Sequence, residues 1–340
     1  MSSFESRFDE RILDRNRTVM VTGGTGYIGK HLVRALQKRG FIVNVLVRDD
    51  SDMSGLEGCN FFLGDMTDPS SLHPALENST YVMHLASTGP AWGSNPAEYD
   101  RVNVEGYENL LRSCHETGVR RVVYTSSYVV FGPSNGHVHM EESRRSDPPM
   151  DDYDRSKTLA EKITHKYVDG GMVITTLYPT VVYGAGDLKE WNLAAKLIRI
   201  QRRGWTPGLI EGGLQQWNFV HVEDVVAGHL AAMRRTQPEQ YILGGENVLL
   251  RDFLSIVAGA LHRRPPRLKL PLRLARMWAS LEEAGARWAG REPLIGKHTV
   301  EILARSWAFS SSKAERELNY RARPLAPALK EFVEWLLERR

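Results

Sequence analysis

Short apolar runs alternate with stretches of helical period from residue 18 onward. The runs "TVMVTG", "FIVNVLVR", "NFFLGD", "YVMHLAS", "RRVVYTSS" and "MVITTLYP" are β-branched and nearly all apolar, which is typical of parallel strands buried on both faces. Between them lie stretches such as "GKHLVRALQKRG" and "NVEGYENLLRSCHETG", the second of which closes on Gly118, a usual end for a helix. Six strands with intervening helices predict an α/β protein with a doubly wound parallel sheet of the Rossmann type.

The alternation changes after Pro179. The next segment reads as a helix followed by Gly-rich sequence, only "WNFVHVEDVVAGHLAAMRR" and "QYILGG" resemble sheet-layer elements again, and the last ninety residues read mostly as helices. We therefore expect residues 1–180 to form a Rossmann domain to which residues 215–245 return. Residues 181–340 are expected to form a smaller, mostly helical, discontinuous C-terminal lobe that binds substrate across a cleft.

Composition narrows the class of protein. The 340 residues are 42% hydrophobic and 25% charged, close to the averages for a soluble globular chain. The net charge is +3 and the basic pairs are scattered, so we expect no nucleic-acid partner. The cysteines Cys59 and Cys114 suit neither a disulfide framework nor a zinc site. No apolar run approaches the length of about 18 residues that spans a bilayer, so we expect a cytoplasmic protein without a membrane partner.

A glycine-rich stretch, "TGGTGYIG", lies at the first strand-to-helix junction. It fits two spacings, Gly24-x-Gly26-x-x-Gly29 and Gly23-x-x-Gly26-x-x-Gly29. Glycines there permit a tight turn and let backbone amides approach a pyrophosphate, and the helix N-terminus favours an anion. The position therefore predicts dinucleotide binding.

The end of the second strand reads "LVRDD", with Arg48 ahead of Asp49 and Asp50. An acidic residue at this point bonds the ribose 2′-hydroxyl of NAD, whereas an arginine accommodates the 2′-phosphate of NADP. Because Arg48 comes first, we favour NADP. The alternative is that Arg48 is a solvated loop charge and that one of the aspartates takes the ribose of NAD.

Tyr153 and Lys157 in "YDRSK" are four residues apart and so share one helix face. Reduction of a ketone leaves negative charge on oxygen, so a site for it needs a proton donor and a second hydrogen bond. A lysine ammonium nearby is expected to lower the pKa of a tyrosine from its usual value of about 10. A hydroxyl could come from "YTSS" at the end of the fifth strand, the edge at which ligands bind in such sheets.

Together, "TGGTGYIG", "YTSSYVVFG", "YDRSK" and "LYPTVVYG", in this order, resemble the extended short-chain dehydrogenase/reductase family over nearly the whole chain. Within that family, "YTSS…VFG" and "NFVHVEDVVAGH" are most similar to dihydroflavonol-reductase-like and 3β-hydroxysteroid-dehydrogenase-like members. The resemblance implies a Rossmann domain with a variable C-terminal substrate lobe, and a possible homodimer.

The resemblance also implies roles by position. It makes Ser127, Tyr153 and Lys157 catalytic, with Asn103 supporting the lysine side of the relay. The positions expected to bind the cofactor, Arg48 among them, are Gly23, Gly26, Tyr27, Ile28, Gly29, Arg48, Asp65, Met66, Leu85, Ala86, Ser87, Thr125, Tyr153, Lys157, Tyr178, Pro179 and Val181.

Departures from the family pattern narrow the reaction. Dehydratases of the family carry an acidic pair directly after the catalytic hydroxyl residue, but Tyr128 and Val129 follow Ser127. Many sugar-nucleotide members carry Arg where this chain has Trp217, so an apolar substrate without a diphosphate is expected. We expect an NADPH-dependent ketoreductase, or the reverse alcohol dehydrogenase, for a steroid, flavonoid, polyketide or long-chain keto compound. An NAD-dependent sugar epimerase and a non-catalytic NADP-binding regulator are the alternatives.

Three residues are candidates for contact with the small-molecule substrate, namely Trp92, His137 and Trp217. We expect no metal at "HVHMEE", although it brings two histidines and two glutamates together.

The segment "PLRLARMWASLEEAGARWAG" could form a membrane-surface helix, but Met and Trp at helical spacing favour a helix of the substrate lobe that packs a core or lines an apolar pocket.

Overall fold

A computed structural model describes residues 18–90, 95–189, 192–204 and 208–339; Trp92 lies outside these ranges. The strands are β1 Thr18–Thr22, β2 Ile42–Val47, β3 Asn60–Leu63, β4 Tyr81–His84, β5 Arg121–Thr125, β6 Ile174–Pro179, β7 Val181–Tyr183, β8 Leu209–Ile210, β9 Gln216–His221, β10 Glu239–Leu243, β11 Glu246–Leu249 and β12 Lys269–Leu270. The helices are α1 Tyr27–Gln37, α2 His73–Leu76, α3 Pro96–Tyr99, α4 Gly106–Glu116, α5 Asp152–Asp169, α6 Leu193–Arg203, α7 Val222–Ala232, α8 Leu250–Ala260, α9 Leu272–Trp288, α10 Lys297–Leu303, α11 Ser312–Leu318 and α12 Leu325–Glu338.

The main sheet has seven strands in the order β3-β2-β1-β4-β5-β6-β10, and every neighbouring pair is parallel. The six apolar runs form its first six strands in the doubly wound order, and "QYILGG" supplies the seventh. The predicted fold class is therefore confirmed.

Side chains alternate between the two faces of this sheet, and each face is covered by helices. In β1, Val19 and Val21 join a hydrophobic cluster with α1, α7 and α11, whereas Met20 faces a second cluster with α2, α4 and α5. All five residues of β1 are buried, which explains why its apolar residues Val19, Met20 and Val21 are consecutive rather than alternating with polar ones.

A third hydrophobic cluster occupies the C-terminal part of the chain. It is built by α6, α8, α9, α10 and α12 around a three-stranded sheet, β11-β9-β7, beside a two-stranded sheet, β12-β8. Of the two sheet-like segments expected within residues 215–245, β10 pairs with β6 in the main sheet, whereas β9 pairs with β7 and β11. The exact division into two domains stays a prediction.

The carboxyl ends of the parallel strands form one edge, and the sequence motifs follow strands at that edge. The glycine stretch follows β1, Arg48 follows β2, Asp65 lies two residues past β3, and Leu85 and Ser127 follow β4 and β5. Within the described ranges, no helix is both long enough and apolar enough to cross a bilayer.

Candidate active site

The glycine loop between β1 and α1 has a conformation that side chains would block. Gly23 has a φ of +68°, and a Cβ there would lie 2.5 Å from the Ala86 amide nitrogen. A Cβ on Gly29 would lie 2.0 Å from the Gly23 carbonyl oxygen. Among the described residues, a Cβ on Gly26 would meet only that same oxygen, at 3.2 Å, so the space at the start of α1 is otherwise open. This glycine-lined helix N-terminus fits a dinucleotide pyrophosphate.

Two predicted cofactor residues lie near each other at the ends of β2 and β3. Arg48 is exposed and its guanidinium lies 3.2 Å from the Asp50 carboxylate. Burial acts to raise the pKa of Asp65, but hydrogen bonds from Thr67 and the positive charges of Arg101 and Arg48 lower it. Arg48 therefore contributes positive potential near Asp65, on the side expected to take the adenosine ribose.

A buried cation holds the loop after β2 against α1. The Lys30 ammonium lies 2.8 Å from Asp52 and 2.7 Å from Asp187, and the Lys30 side chain is only 4% exposed. Burial disfavours its charge, but the two carboxylates raise the pKa of Lys30 above its ordinary value. Sequence reasoning did not find this cluster, because Lys30, Asp52 and Asp187 are far apart in the chain.

Tyr153 lies in the first turn of α5, and Ser127 directly precedes a short 3-10 turn, Tyr128–Phe131. Burial raises the pKa of Tyr153 to about 12; the adjacent Ser127 side chain opposes this shift by hydrogen bonding, and the Asp151 and Asp154 carboxylates add to it. Asp151 caps α5 by accepting from the Asp154 amide at 2.6 Å. The structure therefore brings the predicted hydroxyl and phenol together.

Lys157 lies one turn further along α5 and is buried. Its ammonium donates to the Thr125 carbonyl oxygen at 3.3 Å and lies 5.3 Å from the centre of the Tyr124 ring. Burial lowers the pKa of Lys157 to about 8. The expected lowering of the Tyr153 pKa by Lys157 is not found in this structure, because burial and two carboxylates act on the phenol in the opposite direction.

Glu161, one turn after Lys157, was missed by sequence reasoning although its spacing from Lys157 could have indicated it. Its carboxylate accepts from the Ser126 hydroxyl at 2.6 Å and from the Tyr178 hydroxyl at 2.7 Å. Burial raises the pKa of Glu161. Tyr178, which stands where many family members have Arg, therefore bonds a carboxyl group behind the lysine.

Arg145 connects the segments that carry the hydroxyl and the phenol. Its guanidinium forms a bidentate pair with Asp154, one arm of which is 2.7 Å long, and donates to the Val129 carbonyl oxygen at 2.9 Å and to the Pro148 carbonyl oxygen at 2.8 Å. The side chains of Arg145 and Asp154 are only 11% and 4% exposed. Arg145 thus ties the turn after Ser127 to the first turn of α5, a contact that the sequence alone did not reveal.

Asn103 lies in a π-helical segment, Asp100–Glu105, and is buried. Its amide nitrogen donates to Ser156 Oγ at 3.0 Å, and its amide oxygen accepts from the Thr88 amide at 2.8 Å. A third contact joins Asn103 Oδ1 to Ser87 Oγ at 3.1 Å. These bonds tie the loop after β4 to α5; support of Lys157 by Asn103 stays a prediction.

Aromatic rings line the region around Tyr153 and Ser127. The Tyr99 ring lies 6.3 Å from that of Tyr153, and the Tyr128 ring lies 5.4 Å from that of Trp307. Trp217 lies behind Trp307 at 6.1 Å and is fully buried in the third cluster. The Trp217 side chain therefore packs in the core, and the apolar surface nearest the site comes from other rings.

The loop that follows the Ser127 turn pairs with the chain before α11. The Ser134 amide donates to the Ser306 carbonyl oxygen at 2.8 Å, the His139 amide to the Ala308 carbonyl oxygen at 2.9 Å, and the Ser310 amide to the His139 carbonyl oxygen at 2.9 Å. His137 in this loop is exposed.

Within the described part of the chain, no group of three or more His, Cys, Asp or Glu residues is arranged to hold a metal ion.

The remaining predicted cofactor positions follow the same sheet edge. Leu85 and Ala86 pack against the glycine loop, the Tyr27 hydroxyl donates to the Gly184 carbonyl oxygen at 2.8 Å, and the buried Met66 faces the second cluster. Ile28 packs on the first cluster, and Pro179 and Val181 lie at the end of β6 and the start of β7.

Comparisons with known proteins agree with this geometry. The NAD dependent epimerase/dehydratase family matches residues 19–244. Sterol demethylase protein B of Methylococcus capsulatus is 30% identical over 95% of this chain and 99% of its own length. A 4-hydroxy-2-methyl-3-oxo-4-farnesyl-3,4-dihydroquinoline-1-oxide ketoreductase of Stigmatella aurantiaca is 29% identical over 89% of this chain and 91% of its own.

Among solved structures, the crystal structure of gox2253 covers 95% of this chain and 98% of its own, with a TM-score of 0.81 and 32% identity. The family match, the relatives and the shared fold confirm the resemblance drawn from the motifs. The chain belongs to the NAD dependent epimerase/dehydratase family, that is, to the extended short-chain dehydrogenases/reductases.

Proposed function

We propose that this protein is an NADPH-dependent ketoreductase, or the reverse alcohol dehydrogenase, for an apolar carbonyl compound. The observation that carries the proposal is the Tyr153 phenol beside the Ser127 hydroxyl, with the buried Lys157 one turn behind, at the carboxyl edge of the sheet. This is the proton donor, second hydrogen bond and cation that reduction of a carbonyl requires.

The residues present fit a nicotinamide dinucleotide. The open N-terminus of α1 at Gly26 would hold the pyrophosphate, and Lys157 would hold the nicotinamide-side ribose. A bound nicotinamide supplies or accepts the hydride. Arg48, exposed at the end of β2, supports NADP over NAD because its guanidinium can pair with a 2′-phosphate.

Tyr153 and Ser127 have separate tasks in this proposal. Because burial keeps the pKa of Tyr153 near 12, the phenol carries its proton at neutral pH and can donate it to a developing alkoxide. Ser127 holds the carbonyl oxygen by a second hydrogen bond. Arg145, through Asp154 and the Val129 carbonyl oxygen, fixes the two segments that carry these side chains.

An apolar substrate is supported by the aromatic surroundings. The rings of Tyr99 and Tyr128 lie next to the proposed acid and hydroxyl. Trp217 packs in the core, but it stands where many sugar-nucleotide members carry an arginine, so this chain lacks that arginine. Two of the relatives are named for a sterol and for a farnesylated quinoline. Bulky, largely apolar ketones of steroid, flavonoid, polyketide or long-chain type are therefore the substrates to test first.

The test is consumption of NADPH with a panel of such ketones. Tyr153→Phe should lower kcat about 100-fold or more while leaving NADPH affinity unchanged. Tyr167→Phe, which changes another tyrosine of α5, is the matched control and should behave as the unmodified protein.

Two results would contradict the proposal. One is a folded, NADPH-binding protein that turns over none of the ketones or corresponding alcohols. The other is NAD retained through purification together with sugar interconversion without net use of cofactor, which would make the protein an epimerase.

A further inference from the structure

Exposed apolar side chains are concentrated in one segment. Five large hydrophobic residues between positions 268 and 288 are exposed, and they include the most exposed one described, Trp288 at 93%. The others are Leu268 at 73%, Leu281 at 66%, Met277 at 58% and Leu274 at 48%. The expectation that the Met and Trp residues of this segment pack a core holds for Trp278, which lines an internal cavity, but is wrong for Met277 and Trp288.

Four of these residues form a stripe along the outer face of α9. A helix turns about 100° per residue, so Leu274, Met277, Leu281 and Trp288 project within an arc of about 60°. The stripe follows the 17-residue length of α9, and the exposed Leu268 lies in the chain just before that helix.

The opposite face of α9 is already occupied. Ala275, Ala279 and Ala286 are buried there, and the buried Glu283 accepts from the Lys297 amide at 2.7 Å at the start of α10. Ala275 and Trp278 line an apolar cavity of about 50 Å³ between α6, α8, α9 and α10. Small residues thus pack α9 against the protein, and the large apolar residues of the stripe take no part in that packing.

The segment around the stripe is strongly basic. Residues 263–291 contain eight Lys and Arg and two Glu, a net charge of +6, whereas the whole chain has +3. Three of the basic residues are paired, Lys269 with Glu211, Arg276 with Glu301 and Arg291 with Glu282. Among the described residues, Arg264, Arg267 and Arg273 are exposed and form no ion pair.

We propose that this basic segment and the α9 stripe dock on the surface of an anionic lipid bilayer. The apolar face of α9, with Arg273 on the helix and Arg264 and Arg267 in the loop before it, matches an interfacial helix, whose apolar residues enter the headgroup boundary while cations bind anionic lipids. A second copy of the chain is a poorer occupant, because the symmetric contact would bring two +6 segments together.

The test is co-sedimentation of the full-length protein with vesicles of phosphatidylcholine, with and without phosphatidylglycerol, at low and high salt. We expect binding to the anionic vesicles that falls as salt is added. Met277→Gln/Leu281→Gln should weaken it at least tenfold. Met140→Gln/Leu214→Gln changes one Met and one Leu of similar exposure elsewhere, at 54% and 58%, and should bind as the unmodified protein does.

The charge contribution is tested separately. Arg264→Gln/Arg267→Gln/Arg273→Gln should lower affinity for anionic vesicles by about fivefold per residue replaced. Turnover of a water-soluble ketone should be unchanged in the α9 variant and in the arginine variant, since none of their residues lies at the candidate active site. Three results would overturn the proposal: no sedimentation with anionic vesicles, equal loss in the control variant, or a dimer in solution that Met277→Gln/Leu281→Gln dissociates.

Discussion

Replacing Asp154 with Asn removes the negative partner of Arg145 while keeping the size of the side chain. In the folded protein Asp154 accepts from Arg145 and from the Met150 amide at 2.9 Å, and its side chain is 4% exposed. The arginine is 11% exposed and would stay buried without a countercharge. Asp154→Asn should therefore be strongly destabilising.

The magnitude follows from burial. Removing one partner of a buried ion pair costs about 3 to 5 kcal/mol, because the remaining charge is left desolvated. The exposed pair Arg276–Glu301 is the matched comparison, since it is also bidentate, with contacts of 2.6 and 2.9 Å. Its side chains are 50% and 32% exposed, so Glu301→Gln should cost no more than about 1 kcal/mol.

Urea denaturation of both variants beside the unmodified protein measures the two changes in the free energy of unfolding. A second measurement takes kcat under conditions where both variants are folded. Asp154→Asn should lower kcat, because Arg145 also holds the Val129 carbonyl oxygen next to Ser127, and Glu301→Gln should not. Equal destabilisation by the two substitutions would refute the assignment of the effect to burial, and an unchanged kcat in Asp154→Asn would refute the positioning role of Arg145.

Three further outcomes are expected. Gly26→Ala should lower NADPH affinity at least tenfold in a fluorescence titration, because the added Cβ would occupy the space at the start of α1 and lie only 3.2 Å from the Gly23 carbonyl oxygen. Gly259→Ala on α8, where a Cβ meets no described atom within 4 Å, should leave the affinity unchanged. Burial lowers the pKa of His229 to about 4, so between pH 6.5 and 4 the unfolded chain binds a proton at His229 that the folded chain does not. The free energy of unfolding therefore falls by about 3 kcal/mol as the pH drops through that window. In His229→Gln the urea midpoint should fall less over the same pH range than in the unmodified protein. Arg48→Ala should raise KM for NADPH and leave KM for NADH unchanged, and a parallel rise in both would contradict the role of Arg48 in selecting NADP.

The sheet could be predicted from the sequence because parallel strands buried on both faces consist of consecutive apolar residues. Every residue of β1 is buried, and its three central residues are all apolar. The edge strand β3 is mostly exposed, yet Phe61 and Phe62 still gave it an apolar pattern. β9 was harder to assign, because its apolar residues are equally suited to the main sheet and to the small sheet that it forms with β7 and β11.

The candidate site could be predicted where spacing along the chain implies contact in space. Tyr153 and Lys157 share one face of α5 as expected. Arg145 acts through Val129 and Asp154 on other segments, so no local pattern indicates it. Glu161 contacts Ser126 on another segment, and only its spacing of one helical turn from Lys157 could have indicated it. The raised pKa of Tyr153 likewise depends on burial, which the sequence does not state.

The pairing of the loop at Ser134–His139 with residues 306–310 bears on how the substrate range of this protein could be re-engineered. Each segment supplies backbone donors and acceptors to the other. Replacing one segment with a relative's loop of different length would therefore leave backbone groups of the other segment without hydrogen-bond partners. Grafts that exchange both segments together keep the pairing, while Arg145 still fixes Ser127 and Tyr153 from outside the exchanged loop. Such a paired exchange changes the chain around His137, a predicted substrate contact, and leaves the proposed catalytic residues Ser127 and Tyr153 in place.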